Sequence, residues 1–212
     1  MRVLSRFTLA CVLALAAAAP ALARGADKPA AIAAAAGVAE LRRSFTLDGK
    51  PVPPEIFRDF GDGDLADSGP IWVSVDIAAA IGSNRYADAI KSEHGWFSQK
   101  KASPDGGEET GYRFIGATAN GLLVVLASYS GGGSGDFITL HILDVAAVRA
   151  YDNDGNIYWR INLTGVRSTA LGDRWDGEVK IAGNRISIVT TRSGPADASA
   201  ERRPRAIVVR RP

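Results

Sequence analysis

Apolar and polar residues are patterned as β-structure from Gly69 onward. Ile71-Trp72-Val73-Ser74-Val75-Asp76-Ile77 alternates in its second half and is bounded by Gly69-Pro70 and by Gly82-Ser83-Asn84. Tyr112 to Ile115 leads through Asn120-Gly121 into Leu122 to Tyr129. Asn-Gly between apolar runs predicts a tight hairpin with a type I′ turn, which needs positive φ at both central residues. The second of these strands is apolar on both faces, which predicts a central strand covered on both sides. Phe137 to Tyr151 follows, then a turn at Asp152-Asn153-Asp154-Gly155-Asn156. The next run places Ile157, Trp159, Ile161 and Leu163 on one face. Within Phe137 to Tyr151 the Ala-rich stretch Val145 to Ala150 leaves a helical turn open. Glu178 to Ile181 and Arg185 to Val189 flank Gly183-Asn184 as a third hairpin, and Ala206 to Val209 makes a last strand. About five to seven sequential strands with tight turns indicate a mainly β fold, an antiparallel sheet curling into a β-sandwich or partial barrel.

The N-terminal part reads differently. Arg2 and Arg6 precede an apolar run from Phe7 to Ala19, then Pro20 and Ala21-Leu22-Ala23. A positive start, a short apolar stretch and small residues at a cleavage site make residues 1–23 a secretory signal peptide. The run is about thirteen residues, against the roughly 20 that a spanning helix needs. The expected location is periplasmic or extracellular by the general secretory route, with no transmembrane span left after cleavage. Residues 24–43 are dominated by alanine, which favours helix but offers little surface to bury, so they read as a lead or tether. Pro54 suits the first turn of a short helix whose apolar face is Ile56, Phe57 and Phe60. One or two short N-terminal helices therefore precede a single β-rich domain over residues 44–212.

Charge and cysteine usage narrow the chemistry. The chain of 212 residues has 25 basic and 23 acidic side chains, which argues against a broadly basic nucleic-acid binder. Its one cysteine, Cys11, lies in the signal, so disulfides and thiolate metal sites are excluded from the exported chain. Arg192, Arg202, Arg203, Arg205, Arg210 and Arg211 gather near the C-terminus against Asp197 and Glu201. From about residue 192 this is a basic tail, fit either to touch anionic envelope polymers or to fray in solvent.

Three groups of residues are candidate sites. The loop Ser130, Gly131, Gly132, Gly133, Ser134 joins two strong strands. Without a following Lys and helix it is no phosphate cradle, and it reads as an exposed, floppy hairpin loop or as a backbone-rich probe of a partner. Some periplasmic lysozyme inhibitors resemble this, with a Ser/Gly loop on a small β-barrel. Trp96 and Trp175 lie near turns and are the surface aromatics able to stack on a sugar, while Trp72 and Trp159 belong to patterned strands. Asp59, Asp62, Asp64 and Asp67 resemble the Asp/Gly calcium loops of integrin-type propeller repeats, one residue short. Solvated turn carboxylates are the favoured reading and a structural calcium the alternative; no other cofactor is expected. His94 sits in a turn and His141 within a strand, and no nucleophile elbow is present.

Gly133 to Phe137, Ala170-Leu171-Gly172-Asp173-Arg174, Ile186 to Thr191 and Gly194 to Asp197 together resemble small exported bacterial β-domains of unknown function, the LppP/LprE-like lipoproteins among them. That family pattern carries a Cys pair where this chain has Asp197-Ala198-Ser199-Ala200, so any shared disulfide is absent. The resemblance implies an envelope location and no known reaction. The resulting expectation is an exported, non-enzymatic protein that binds an envelope protein or polymer through surface loops. A periplasmic hydrolase of envelope glycan or peptide and a lysozyme-inhibitor-like protein are the alternatives.

Overall fold

Helix α1, Ala21–Ser44, is the first element of the computed structural model, which describes residues 21–58, 60, 74–82, 89–101, 107–189 and 205–210. The Ala-rich stretch is not a tether. Ala34, Val38 and Leu41, spaced three to four apart, are buried on one stripe of the helix. Alanine and glycine let the helix lie close to the sheet. A Cβ at Gly37 would stand 2.5 Å from the Ile161 side chain and 2.8 Å from that of Leu47.

The helix ends at Phe45, whose N–H reaches the Leu41 carbonyl at 3.0 Å with φ of 56°. This is the left-handed cap that glycine normally supplies. Here a bulky side chain is forced into it and buried completely. The chain then turns through β1 (Thr46–Leu47) and β2 (Lys50–Pro51). Glu40 clasps that hairpin, accepting from the Thr46 hydroxyl at 2.7 Å and from the amides of Asp48 and Gly49 at 3.0 and 2.9 Å. These bonds, the Thr46 hydroxyl foremost, hold the Glu40 carboxyl below its ordinary range. The 3-10 helix Pro54–Arg58 starts at proline and buries Ile56 and Phe57 as the sequence implies.

The main sheet has seven antiparallel strands in the order β3-β9-β8-β7-β6-β5-β4. They are β3 (Ser74–Asp76), β4 (Lys91–Glu93), β5 (Trp96–Lys101), β6 (Glu108–Ala117), β7 (Leu123–Ser130), β8 (Phe137–Tyr151) and β9 (Ile157–Asp173). Helix α2, Ile77–Gly82, follows β3 and buries Ile77. Val145 to Ala150 lies in β8, so the helical alternative falls. A second sheet of β10 (Glu178–Ala182), β11 (Arg185–Val189) and β12 (Arg205–Val208) completes the antiparallel, mainly β architecture. Arg205 and Arg210 flank strand residues rather than a frayed end, because Ile207 and Val209 are buried. Among the described residues no helix is long and apolar enough to cross a membrane.

Strand β7 is central and apolar on both faces, as its sequence requires. Leu123, Val125 and Ala127 face a core shared with α1, the 3-10 helix and Ile77. Val124 and Leu126 face another, shared with Ile138, Leu140 and Ile142 of β8 and with Val179, Ile186, Ile188 and Ile207 of the small sheet. The β6–β7 turn is not type I′. Thr118 N–H bonds the Leu122 carbonyl at 2.8 Å, Gly121 N–H returns to the Thr118 carbonyl at 2.9 Å, and only Gly121 has positive φ. This is a type I turn closed by a left-handed glycine, and Asp152 to Asn156 repeats it bond for bond. The freed side of the turn ties the two sheets together. Asn120 N–H donates to Asn184 Oδ1 at 2.9 Å and Asn120 Nδ2 to the Val209 carbonyl at 3.3 Å.

The first core holds a cluster of rings: Phe45 against Phe57, Tyr112 and Phe114 at 6.1, 5.2 and 5.5 Å, with Phe57 reaching His141 at 5.4 Å. His141, on strand β8, is fully buried. The Ser168 hydroxyl donates to the Phe60 carbonyl at 3.0 Å, so its oxygen accepts from His141 Nδ1–H at 2.9 Å. Burial lowers the imidazole pKa to about 4.

Two stability measurements test this core. Truncating Phe45→Ala should cost about 3–5 kcal/mol in urea unfolding, the range for a large buried ring. Between the ordinary imidazole value of about 6.5 and about 4 the unfolded chain binds a proton at His141 that the folded chain refuses. His141 should therefore make stability fall by roughly 1.4 kcal/mol per pH unit as pH drops through that window. His141→Leu should remove this contribution and flatten the slope.

Candidate functional site

The small sheet covers only part of the main sheet. Beyond it, the same outward face of β5, β6 and β7 turns from apolar to polar and forms the floor of a groove of about 590 Å³. Strand registers set the floor in rows. Lys100 of β5 stands beside Glu109 of β6 and that beside Ser130 of β7, and the next row is Ser98, Gly111 and Ser128. Trp96 closes the far end, with the Arg113 guanidinium 5.5 Å from its ring. From Glu109 to Arg113 is four residues of strand, about 14 Å.

Gly111 fixes the depth of the floor. A Cβ there would sit 2.8 Å from Ser128 Oγ and 3.3 Å from the Phe97 carbonyl, in the space between the two serines. Lys100 Nζ holds Glu109 at 3.0 Å. The β4–β5 turn forms one rim with Glu93 and His94. It is a type I′ turn, with φ of 49° at His94 and 79° at Gly95.

The opposite rim is the loop from Gly133 to Asp136. Gly131 to Ser134 are exposed, yet the loop is pinned rather than floppy. Arg174 N–H donates to the Asp136 carbonyl at 2.7 Å, and Asp136 N–H donates to Asp173 Oδ1 at 2.7 Å. The Arg174 guanidinium binds the Ser134 carbonyl through Nε at 3.2 Å and through a second nitrogen. Desolvation, followed by repulsion from Asp173 and Glu109, raises the Asp136 carboxyl above its ordinary range, and Arg174 works against them.

The structure thus brings Ser130, Gly133, Ser134 and Trp96 around one groove, while Gly131 and Gly132 cap the loop outside its lining. Trp96 is half-buried, packing its inner edge on the second core. Trp175 also packs on that core and does not line the groove. Asp59, Asp62, Asp64 and Asp67 lie outside the described residues. Among the described residues no three His, Cys, Asp or Glu side chains come together as metal ligands. Asp152 and Asn156 are turn residues, Asp152 Oδ1 accepting from the amides of Asp154 and Asn156 at 2.9 and 2.8 Å.

Sequence reasoning missed Ser98, Glu109, Gly111, Ser128 and Asp136. The signal was present in β7, where Val124 and Leu126 give way to Ser128 and Ser130 on the same face. A face that changes from apolar to hydroxyl along one strand marks where its cover ends.

The chemistry on offer is recognition by hydroxyls, carboxylates and one indole, with a volume in the range of small-ligand sites. Replacing Arg174 by Ala should release the rim while leaving the cores intact. Backbone amides of residues 131–136 should then lose hydrogen-exchange protection, with little change in those of β7 and β8. Equal protection in both proteins would show that the loop is held by other contacts. No family model matches the chain, and no curated protein or solved structure matches it either.

Proposed function

We propose that this protein is an exported, non-enzymatic component of the cell envelope that binds a glycan polymer in the groove between Trp96 and the Ser130–Asp136 loop. The observation that carries this reading is the lining itself. Ser98, Ser128, Ser130 and Ser134 offer hydroxyls that donate and accept, Glu109 and Asp136 accept, and Trp96 presents a flat apolar wall. Sugars expose that same combination of hydroxyl edges and C–H faces. A protein partner is more often held by several aromatic or aliphatic anchors at a dry centre, and this lining has a single one. The signal-like residues 1–23 support export.

Hydrolysis of an envelope glycan is the second reading, favoured by the carboxylates that share the groove. Glu109 is already committed to Lys100 at 3.0 Å, which suits an anchor better than a base. Incubation with purified peptidoglycan sacculi separates the two, because a hydrolase would release new reducing ends.

For binding, the purified exported chain should co-sediment with sacculi, and Trp96→Ala should weaken this by about tenfold or more. Because Trp96 also touches the second core, the paired change Ser98→Ala and Ser128→Ala provides an independent lesion that removes only hydroxyls. Retention of full binding by both variants, at unchanged melting temperature, would move the site away from this groove.

A further inference from the structure

We infer that the protein is a homodimer in which the overhanging end of β8 pairs edge to edge with the same strand of a second copy, antiparallel and centred on Val148. The overhang comes from unequal strand lengths. Strand β8 stays in step with β9 from Leu143 to Tyr151, but β7 stops opposite Leu143. Among the described residues no strand lies beside Val145 to Tyr151 on that side. The Val145 carbonyl shows which way its backbone points. It accepts from Arg42 Nη2 at 3.2 Å, and Arg42 lies against Gly121, just before β7 begins. Because backbone groups alternate sides along a strand, Ala147, Arg149 and Tyr151 also turn their N–H and C=O to the open edge. Exposed edges are ordinarily blunted by lysine, proline, a bulge or shortness. The edge strand β4 is short and charged, whereas this stretch of β8 has no lysine, proline or bulge. It also holds apolar groups in water: Val148 is 41% exposed, Tyr151 64%, and Tyr158, opposite Ala150 on β9, 40%.

The register identifies the occupant. A strand paired with its own copy about a two-fold axis through the sheet sets one residue opposite itself. With Ala147 on the axis, Tyr151 of one copy would fall opposite Leu143 of the other, a place already held by Leu123. With Arg149 on the axis, two guanidinium groups would meet. With Val148 there, valine meets valine, Ala146 meets Ala150, and Ala147 meets Arg149. The outward groups of Ala147 and Arg149 then exchange about four backbone hydrogen bonds across the axis. Charge agrees with this placement. Asp152 and Asp154, in the turn after β8, arrive at the end of the other copy's edge where Arg42 sits. Arg42 gives one nitrogen to the Val145 carbonyl and keeps a buried Nε without an acceptor. Asp144 and Arg149 are engaged within their own chain. The groove lies at the other end of β8, so this inference stands or falls apart from the glycan reading.

Sedimentation equilibrium of the exported chain at micromolar concentration should give twice the chain mass. Val148→Lys, which sets two ammonium groups against each other on the axis, should give the monomer with its β circular dichroism kept. The exported chain has no cysteine, so single cysteines report the register. Oxidised Val148→Cys should run as a covalent dimer, because residues facing each other at a non-hydrogen-bonded pair have Cα atoms about 4.5 Å apart, within disulfide reach. Ala146→Cys and Ala150→Cys should link only when the two proteins are mixed. A parent chain that stays monomeric overturns the inference. A dimer that Val148→Lys leaves intact, or that Val148→Cys fails to link, is built on another surface and overturns it equally. Should a monomeric parent instead bind a synthetic alternating valine-threonine peptide, and lose it on Val148→Lys, the edge belongs to a strand of another protein and the second copy is excluded.

Discussion

Phe45 is the constraint on which the rest of the fold turns. Its backbone occupies a left-handed conformation that costs a non-glycine residue about 1–2 kcal/mol, and glycine there would be free of that cost. The side chain accounts for the choice. From the end of α1 it enters the first core and meets Phe57 of the 3-10 helix and Tyr112 and Phe114 of β6, joining three separate elements through one ring. Once Phe45 is seated, the direction of the chain after α1 is set, and the Glu40 clasp on the following hairpin only confirms it. An Ala-rich helix with so little surface of its own could not hold itself on a sheet. It is held at its end, by an aromatic residue in a conformation that only tertiary packing sustains.

The groove follows from a mismatch in size between the two sheets. The helical layer faces one side of the main sheet, while three short strands face the other. Apolar residues on that second side track the cover: Leu126, Leu140 and Ile142 lie beneath it, and Ser128 and Ser130 lie beyond it. A bare apolar floor would invite association, and a floor of serine and glycine does not. The same substitution that keeps the surface wet makes it suitable for a hydrated ligand.

The strands were legible because burial on one or both faces writes itself into a period of two. The alternation of Ile157 to Leu163, the doubly apolar β7 and the hairpin at Gly183-Asn184 all appear where the pattern placed them, and the last strand runs one residue earlier than expected, over Arg205–Val208. The helix α1 was read as a tether because its stripe consists of Ala34, Val38 and Leu41, and the fit of small residues against Ile161 and Leu47 depends on distance, which composition does not carry. The turn at Asn120-Gly121 was placed correctly and typed wrongly: Asn120 is occupied with Asn184 and Val209, and that tie to the other sheet decides its conformation. The loop of the site was visible as a Ser/Gly run, but its partners Asp173 and Arg174 lie some forty positions away on another strand. Its floor comes from three strands whose polar residues look, one strand at a time, like ordinary solvent-facing positions.

From β4 to β9 every strand pairs with its neighbour in the chain, so that whole stretch can assemble by adding one hairpin to the next. Such an order keeps loop-closure entropy low at each step. Strand β3 breaks the rule. It is three residues long, and Ser74 lies opposite Thr164, ninety positions later. It can dock only after the meander has built the edge that receives it. The chain thus has a built-in sequence of assembly in which its N-terminal portion, although synthesised first, completes the sheet last.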